Sequence, residues 1–350
     1  MQKEGCSFLK KRTKKLLQIW LRPLRRGSAQ DSKVFCFFFS KKKSFLALLS
    51  LLLPAATLPL GPPDKSKYAA FDPATHHLFV AQGAAITVVD TSSMTIAGRI
   101  GGLPGAHGIA LVPGGSGYAA GGKSASVAVF DPATLKTIAT IKAGEDANAV
   151  VYDPASRHVF VMNDDAATIT VIDPARNASM ATITLPPGEG LEGAAADGAG
   201  HLFVAHSAAG DVLRIDTRRG RVDASFKLHD CAKPQGLALD PQSGRVFVSC
   251  ENRELLVLDG RDGKSLATIP IGPGNRTLIF DARRRRVYAP CADGTITVID
   301  AGDLGSTGMR APLVAAPGLR TAALDARSGR LYLVGAADGG LSVSVLDPPP

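Results

Sequence analysis

Residues 235–271 set the pattern for most of the chain. Four short apolar runs (residues 236–239, 245–249, 254–258 and 265–271) are separated by Asp240-Pro241, Ser243-Gly244, Glu251-Asn252 and Asp262-Gly263. These separators favour tight turns or left-handed backbone, and the runs have strand length. The stretch therefore predicts four antiparallel strands joined by short turns.

The pattern recurs. An Asp closes the third predicted strand seven times, at Asp90, Asp131, Asp173, Asp216, Asp259, Asp300 and Asp347, with spacings of 41 to 47 residues. A second Asp closes the first strand at Asp72, Asp153, Asp197, Asp240, Asp281 and Asp325, with Val112 in its place in the second copy. A strand-end Asp can accept bonds from turn amides two residues on, which explains the preference without catalysis. Four strands are too few to bury both their faces, so the copies must stack. Radial closure leaves only short edges and predicts an all-β, seven-bladed propeller of four-stranded antiparallel blades. The seventh copy ends at Asp347 without a fourth strand. Its missing strand stands at the other end, where Ala56-Thr57-Leu58-Pro59-Leu60-Gly61-Pro62 matches Ala267-Thr268-Ile269-Pro270-Ile271-Gly272-Pro273. The N-terminal strand is expected to close the last blade, as an edge that tolerates proline.

Composition divides the chain into a leader, residues 1–55, and the propeller, residues 56–350. The net charge of +9 comes from the leader: residues 1–56 hold 13 Lys and Arg against 2 acidic residues, the remainder 27 against 29. The body gives no general electrostatic case for nucleic acid. Lys41-Lys42-Lys43, the apolar run from Phe45 to Leu53 and Pro54-Ala55-Ala56 have the layout of a secretory signal peptide. Residues 1–40 read as an over-extended start. A periplasmic or secreted protein follows, with no integral membrane domain after cleavage.

Five residues before each first-strand Asp, or before Val112, stand Lys67, His107, Asn148, Glu192, Gln235, Arg276 and Arg320. All seven are polar, and the four residues after each are mainly small or apolar. In a four-stranded blade these positions ring one mouth of the central channel. Arg276, Arg320 and Lys67, opposed by Glu192, predict attraction for an anionic small molecule or peptide, which Arg can grip bidentately. The loops between second and third strands supply an adjoining ring: Gln82, Gly121, Asn163, His206, Cys250, Cys291 and Gly335.

The second-strand motif reads Leu-Phe-Val at 78–80, Val-Phe-Val at 159–161 and 246–248, and Leu-Tyr-Leu at 331–333. With Asp-Pro-Ala turns and Thr-Ile-Thr-Val-Ile-Asp at 168–173 and 295–300, the chain resembles the exported YncE-like (YVTN-repeat) seven-bladed propellers over residues 56–350. The resemblance implies a binding or scaffold module. Similar propellers carry a disulfide where Cys231 and Cys250 stand, and about 20 residues of loop would make it worth roughly 3 kcal/mol. Cys6 and Cys36 leave with the leader, so Cys291 becomes the odd thiol.

The remaining signals are weaker. No Cys or His spacing marks a metal or haem site, so no cofactor is predicted; the alternative would combine Cys291 with His206, His107 or His229. Residues 283–286, four arginines, sit in a turn on the opposite face, where solvation is the plain reading. Nucleic acid is disfavoured because only Tyr288 supplies an aromatic platform nearby. Asn177-Ala178-Ser179 matches a glycosylation sequon. The alternative function is an enzyme of lyase or lactonase type, with His107 and Glu192 as acid and base, or a cofactor protein at the same mouth. No nucleophile–base–orienter set can be assembled. The reading is therefore a monomeric, non-catalytic protein that binds a small molecule, peptide or protein partner at the mouth.

Overall fold

The computed structural model describes residues 56–63, 66, 68–304, 309–337 and 340–349. The leader, the signal peptide expected within it, Cys6, Cys36 and Lys67 lie outside the described residues. The regular structure of the described residues is strand apart from one 3-10 turn at Gly122–Ser124. Strand β1 (Ala56–Gly61) comes first. Blade 1 is β2 (Ala69–Asp72), β3 (His77–Gln82), β4 (Ala85–Asp90) and β5 (Thr95–Ile100); blade 2 is β6 (Ala106–Leu111), β7 (Gly117–Gly121), β8 (Ser126–Phe130) and β9 (Thr137–Lys142). Blade 3 is β10 (Ala147–Asp153), β11 (His158–Asn163), β12 (Thr168–Asp173) and β13 (Ala178–Thr184). Blade 4 is β14 (Leu191–Ala196), β15 (His201–His206), β16 (Asp211–Asp216) and β17 (Arg221–Lys227). Blade 5 is β18 (Pro234–Asp240), β19 (Arg245–Cys250), β20 (Glu254–Asp259) and β21 (Ser265–Pro270). Blade 6 is β22 (Ile279–Asp281), β23 (Arg286–Pro290), β24 (Thr295–Asp300) and β25 (Leu313–Val314). Blade 7 joins β26 (Leu319–Asp325), β27 (Arg330–Ala337) and β28 (Gly340–Leu346) to β1.

The expected architecture is present: seven four-stranded antiparallel sheets in a ring. Each first strand packs on the next, and β26 packs on β2 to complete the circle. Strand β1 lies antiparallel on β28, with Ala56 opposite Val345 and Leu58 opposite Val343. Pro59 is on the outermost strand of its sheet, where its missing N–H costs no ladder bond to a further neighbour. Leu60 is buried among Val80, Val334 and Val343, joining blades 1 and 7. The second and third strands are almost wholly buried, because both sheet faces pack against neighbouring blades. Their sequences are accordingly continuous apolar runs rather than alternating ones.

The strand-end Asp residues cap turns as expected. Asp131 Oδ1 accepts from Ala133 N and Thr134 N at 2.8 and 2.9 Å, and Asp173, Asp259 and Asp300 repeat the motif. The Ser92 amide holds the Asp90 carboxyl below its ordinary value, as the Thr134 amide does for Asp131 and the Arg219 amide for Asp216. For Asp259 the Arg261 side chain contributes most, lowering it to about 2. A carboxyl depressed on folding stabilises above its unfolded pKa near 4, and that contribution disappears as pH falls through the folded value. Thermal unfolding monitored against pH should therefore give a midpoint that is flat from about pH 7 to 5 and falls steeply between about pH 4 and 2. A midpoint unchanged down to about pH 2 would contradict this role for the turns.

Candidate functional site

The channel is walled by the seven first strands, and the backbones approach closely there. A Cβ on Gly108 would lie 2.3 Å from the Asn148 carbonyl oxygen, and one on Gly193 2.5 Å from that of Gln235. Only glycine permits these contacts between β6 and β10 and between β14 and β18. That packing fixes where each first strand starts, and so where the polar ring stands.

Three predicted ring residues come together. Arg276 Nη1 donates to Gln235 Oε1 at 3.0 Å and lies 3.9 Å from Glu192 Oε1. One guanidinium thus spans blades 4, 5 and 6. Arg320 is exposed on β26, and among the described residues no hydrogen bond or ion pair engages it. Partial burial and then the nearby Arg276 charge hold the Arg320 guanidinium below its ordinary value. Asn148 is turned inward, 1 % exposed, and donates to the Leu191 carbonyl at 3.3 Å, so it ties blade 3 to blade 4. His107 lies 3.8 Å from Asp146 Oδ1, so its carboxylate neighbour is Asp146 rather than Glu192.

Tyr68 is the residue that counting back five positions misses. It immediately precedes β2, in blade 1. Its hydroxyl crosses the channel to donate to the Glu192 carbonyl of blade 4 at 3.1 Å. Its ring packs against the core between blades 3 and 4 and the core between blades 1 and 2. Burial pushes this phenol well above its ordinary value; Glu192, Asp164 and Asp146 add to the effect and Arg276 opposes it. The mouth therefore carries more acid than Glu192 alone, concentrated on blades 3 and 4. The basic residues stand on blades 6 and 7. A signal for Tyr68 does exist in the sequence. The equivalent positions are Gly108, Ala149, Gly193, Gly236, Thr277 and Thr321, all small.

The second ring faces inward, into its own hairpins. Gln82 Oε1 accepts from Thr87 Oγ1 at 2.7 Å, Asn163 Nδ2 donates to Thr168 Oγ1 at 3.0 Å, and His206 Nδ1 lies 3.0 Å from Asp211 Oδ1. Each bond joins residues five apart across the turn between second and third strands. Gln82 also donates to the Gly61 and Pro63 carbonyls at 2.9 and 3.2 Å, holding the end of β1. Gly121 and Gly335 occupy the same place without a side chain.

Cys231 and Cys250 form a disulfide with Cα atoms 5.2 Å apart. Asn252 braces this loop, accepting from Ala232 N at 3.1 Å and donating to the Asp230 carbonyl at 2.8 Å. Cys291 is a buried free thiol, pushed up to about 11 by burial and the Asp293 charge. Among the described residues no group of three or more His, Cys, Asp or Glu side chains is placed to hold a metal ion. Cys291, His206 and His107 belong to blades 6, 4 and 2, and His229 is exposed.

On the opposite face, the arginine run joins blades instead of merely facing solvent. Arg285 pairs with Asp240 of blade 5, Arg283 donates to the Arg327 carbonyl of blade 7, and Arg284 pairs with Asp281 at 3.0 Å. Asn177, the sequon residue, accepts the Tyr118 hydroxyl at 2.6 Å between blades 2 and 3.

No family model and no curated protein matches the chain. Solved structures do. A chain of Kuenenia stuttgartiensis hydrazine synthase superposes with a TM-score of 0.69 at 17 % identity, covering 81 % of this chain and 96 % of that one. A chain from a crystal structure of a mitotic checkpoint complex gives a TM-score of 0.70 at 14 % identity, covering 92 % and 100 %. The chain is a seven-bladed β-propeller. At these identities the propeller likeness extends to the fold alone.

Two thiol measurements follow. Cys231→Ser should lower the thermal midpoint by several degrees, from the roughly 3 kcal/mol expected of a loop this long. Cys291 should resist a water-soluble thiol reagent until the protein unfolds. Rapid labelling of Cys291 in the native protein would contradict its burial.

Proposed function

We propose that this is an exported, YncE-like binding propeller that holds an anionic small molecule or a peptide carboxylate at the channel mouth. The observation that carries the reading is the Arg276 guanidinium, gathered with Gln235 and Glu192 beside Arg320, which no hydrogen bond or ion pair engages among the described residues. Two like charges held close repel one another, and an anion between them relieves that repulsion. Arg presents a planar fork that suits carboxylate or phosphate. Tyr68 closes the channel beneath, so a ligand rests on the mouth instead of threading through. In this reading Gln235 and Glu192 orient Arg276, and Arg320 supplies the free donors. Lys67, one residue before Tyr68, adds a third positive charge in sequence.

Export is supported by the signal-like leader and by the Cys231–Cys250 disulfide, which suits an oxidising compartment. No helix among the described residues is long and apolar enough to cross a membrane. A peptide or protein as ligand is consistent with the similar chain from a mitotic checkpoint complex, an assembly of proteins.

Isothermal titration calorimetry with citrate, trialanine and trialanine amide tests the proposal. Citrate and trialanine should bind, trialanine amide should bind more weakly, and Arg276→Ala/Arg320→Ala should weaken the first two by about tenfold or more. Equal binding by the double variant, or no preference for the free carboxylate, would sink the proposal.

A further inference from the structure

The mouth carries acceptors on one side that exceed their donors, and donors on the other side that exceed their acceptors. On blades 3 and 4 three carboxylates stand in one arc, tied together through the main chain. The Asp164 amide donates to the Asp146 carbonyl at 2.9 Å. Asp164 Oδ1 in turn accepts from the Gly190 amide and, at 2.9 Å, from the Leu191 amide. Glu192 is the next residue, and all three acidic residues are half-buried.

The arc is only partly answered. Arg276 stands 3.9 Å from Glu192 and His107 Nδ1 3.8 Å from Asp146, but among the described residues no ion pair engages Asp164. Asn148, two residues on from Asp146, is buried and gives its Nδ2 to the Leu191 carbonyl. Its Oδ1 meets no donor among the described residues, and a buried acceptor without a donor is costly. On blade 7 the imbalance is reversed. Arg320 is exposed beside Arg276, and no hydrogen bond or ion pair engages it among the described residues. The buried Tyr68 phenol lies within electrostatic reach of Glu192, Asp164, Asp146 and Arg276 alike, so acid and base border the same space.

We infer, resting on the reading of the mouth given above, that its ligand is a zwitterion: a short peptide with both termini free. The carboxylate lies on Arg320 and Arg276. The ammonium lies against Asp146 and Asp164, with Asn148 Oδ1 behind them as a further acceptor. An ammonium offers three donors and no acceptor, and a guanidinium five donors and no acceptor, so each end of the ligand meets the group it lacks. A simple anion answers the arginines and leaves the acidic arc unmet. A simple cation does the reverse.

Calorimetry on the full chain at about pH 7 with trialanine and N-acetyltrialanine tests the inference, since acetylation removes the positive charge of the terminal amine and keeps the carboxylate. Trialanine should bind about fivefold or more tightly than its acetylated form. Asp146→Asn/Asp164→Asn removes two charges and keeps an acceptor oxygen at each position. It should bring trialanine down to the affinity of N-acetyltrialanine, whose own affinity should not fall. A variant that merely disturbed the loops would weaken both peptides alike. The inference is overturned if N-acetyltrialanine binds as tightly as trialanine, or if the Asn variant keeps the preference or weakens both peptides equally. The mouth reading survives those results provided that Arg276→Ala/Arg320→Ala weakens both peptides. If neither peptide nor citrate binds, or if binding ignores the arginines, the mouth reading itself fails and takes this inference with it.

Discussion

Everything in this molecule depends on one seam, the pairing of β1 with β28. A propeller with an open seam would be a curved stack exposing two blade faces and an unpaired strand edge. Here the first described residues supply the outermost strand of the last blade. Leu60 is buried at the seam, and full burial of such a side chain contributes about 1.5–3 kcal/mol. Gln82 then secures the strand's end, donating to the Gly61 and Pro63 carbonyls while accepting from Thr87 and Arg99. A blade 1 side chain thereby locks a blade 7 strand. The stacking of Phe71 on Tyr332 closes the same seam nearer the opposite face.

The seam also delivers the mouth. The chain leaves β1 at Gly61 and reaches the channel at Tyr68, whose carbonyl accepts the Ala81 amide at 3.1 Å. From that anchor the Tyr68 ring spans the channel to Glu192, and Glu192 neighbours Arg276. Ring closure, the Tyr68 ring across the channel and the arginine at the mouth are consecutive links in one series of contacts. The opposite face is held differently among the described residues. It is bound blade to blade by Arg285 with Asp240, Thr217 with Asp153 and Arg214 with the Gly260 carbonyl, contacts that stabilise without converging on a point.

The blades were legible in the sequence because each property that builds them is local. Turn residues, strand-end Asp and continuous apolar runs repeat every forty residues or so, and even the missing fourth strand could be matched to residues 56–62. The strands of blade 5 fall within two residues of their expected ends. The short outer strand of blade 6 was not legible, since its cause is a loss of pattern. The site was half legible. Counting back from the Asp residues located Glu192, Gln235 and Arg276 together, but the count cannot tell whether a side chain points into the mouth or between blades. Asn148 therefore turned out to be an inter-blade tie. Tyr68 escaped because its partner is 124 residues away, although its bulk among small equivalents marked it. The second set of loop residues read as a ring adjoining the mouth, yet Gln82, Asn163 and His206 find partners five residues on, across their own turns.

Native-state hydrogen exchange on a seam variant tests most directly the claim that closure organises both fold and mouth. Leu60→Asp puts a charge into the apolar junction of blades 1 and 7 and should eject β1. The account predicts faster exchange in β28 and, at the same time, at the Ala81 amide that pairs with the Tyr68 carbonyl, with the amides of β11 and β12 in blade 3 much less affected. Faster exchange confined to β1, with β28 and the Ala81 amide as protected as in the wild type, would contradict it.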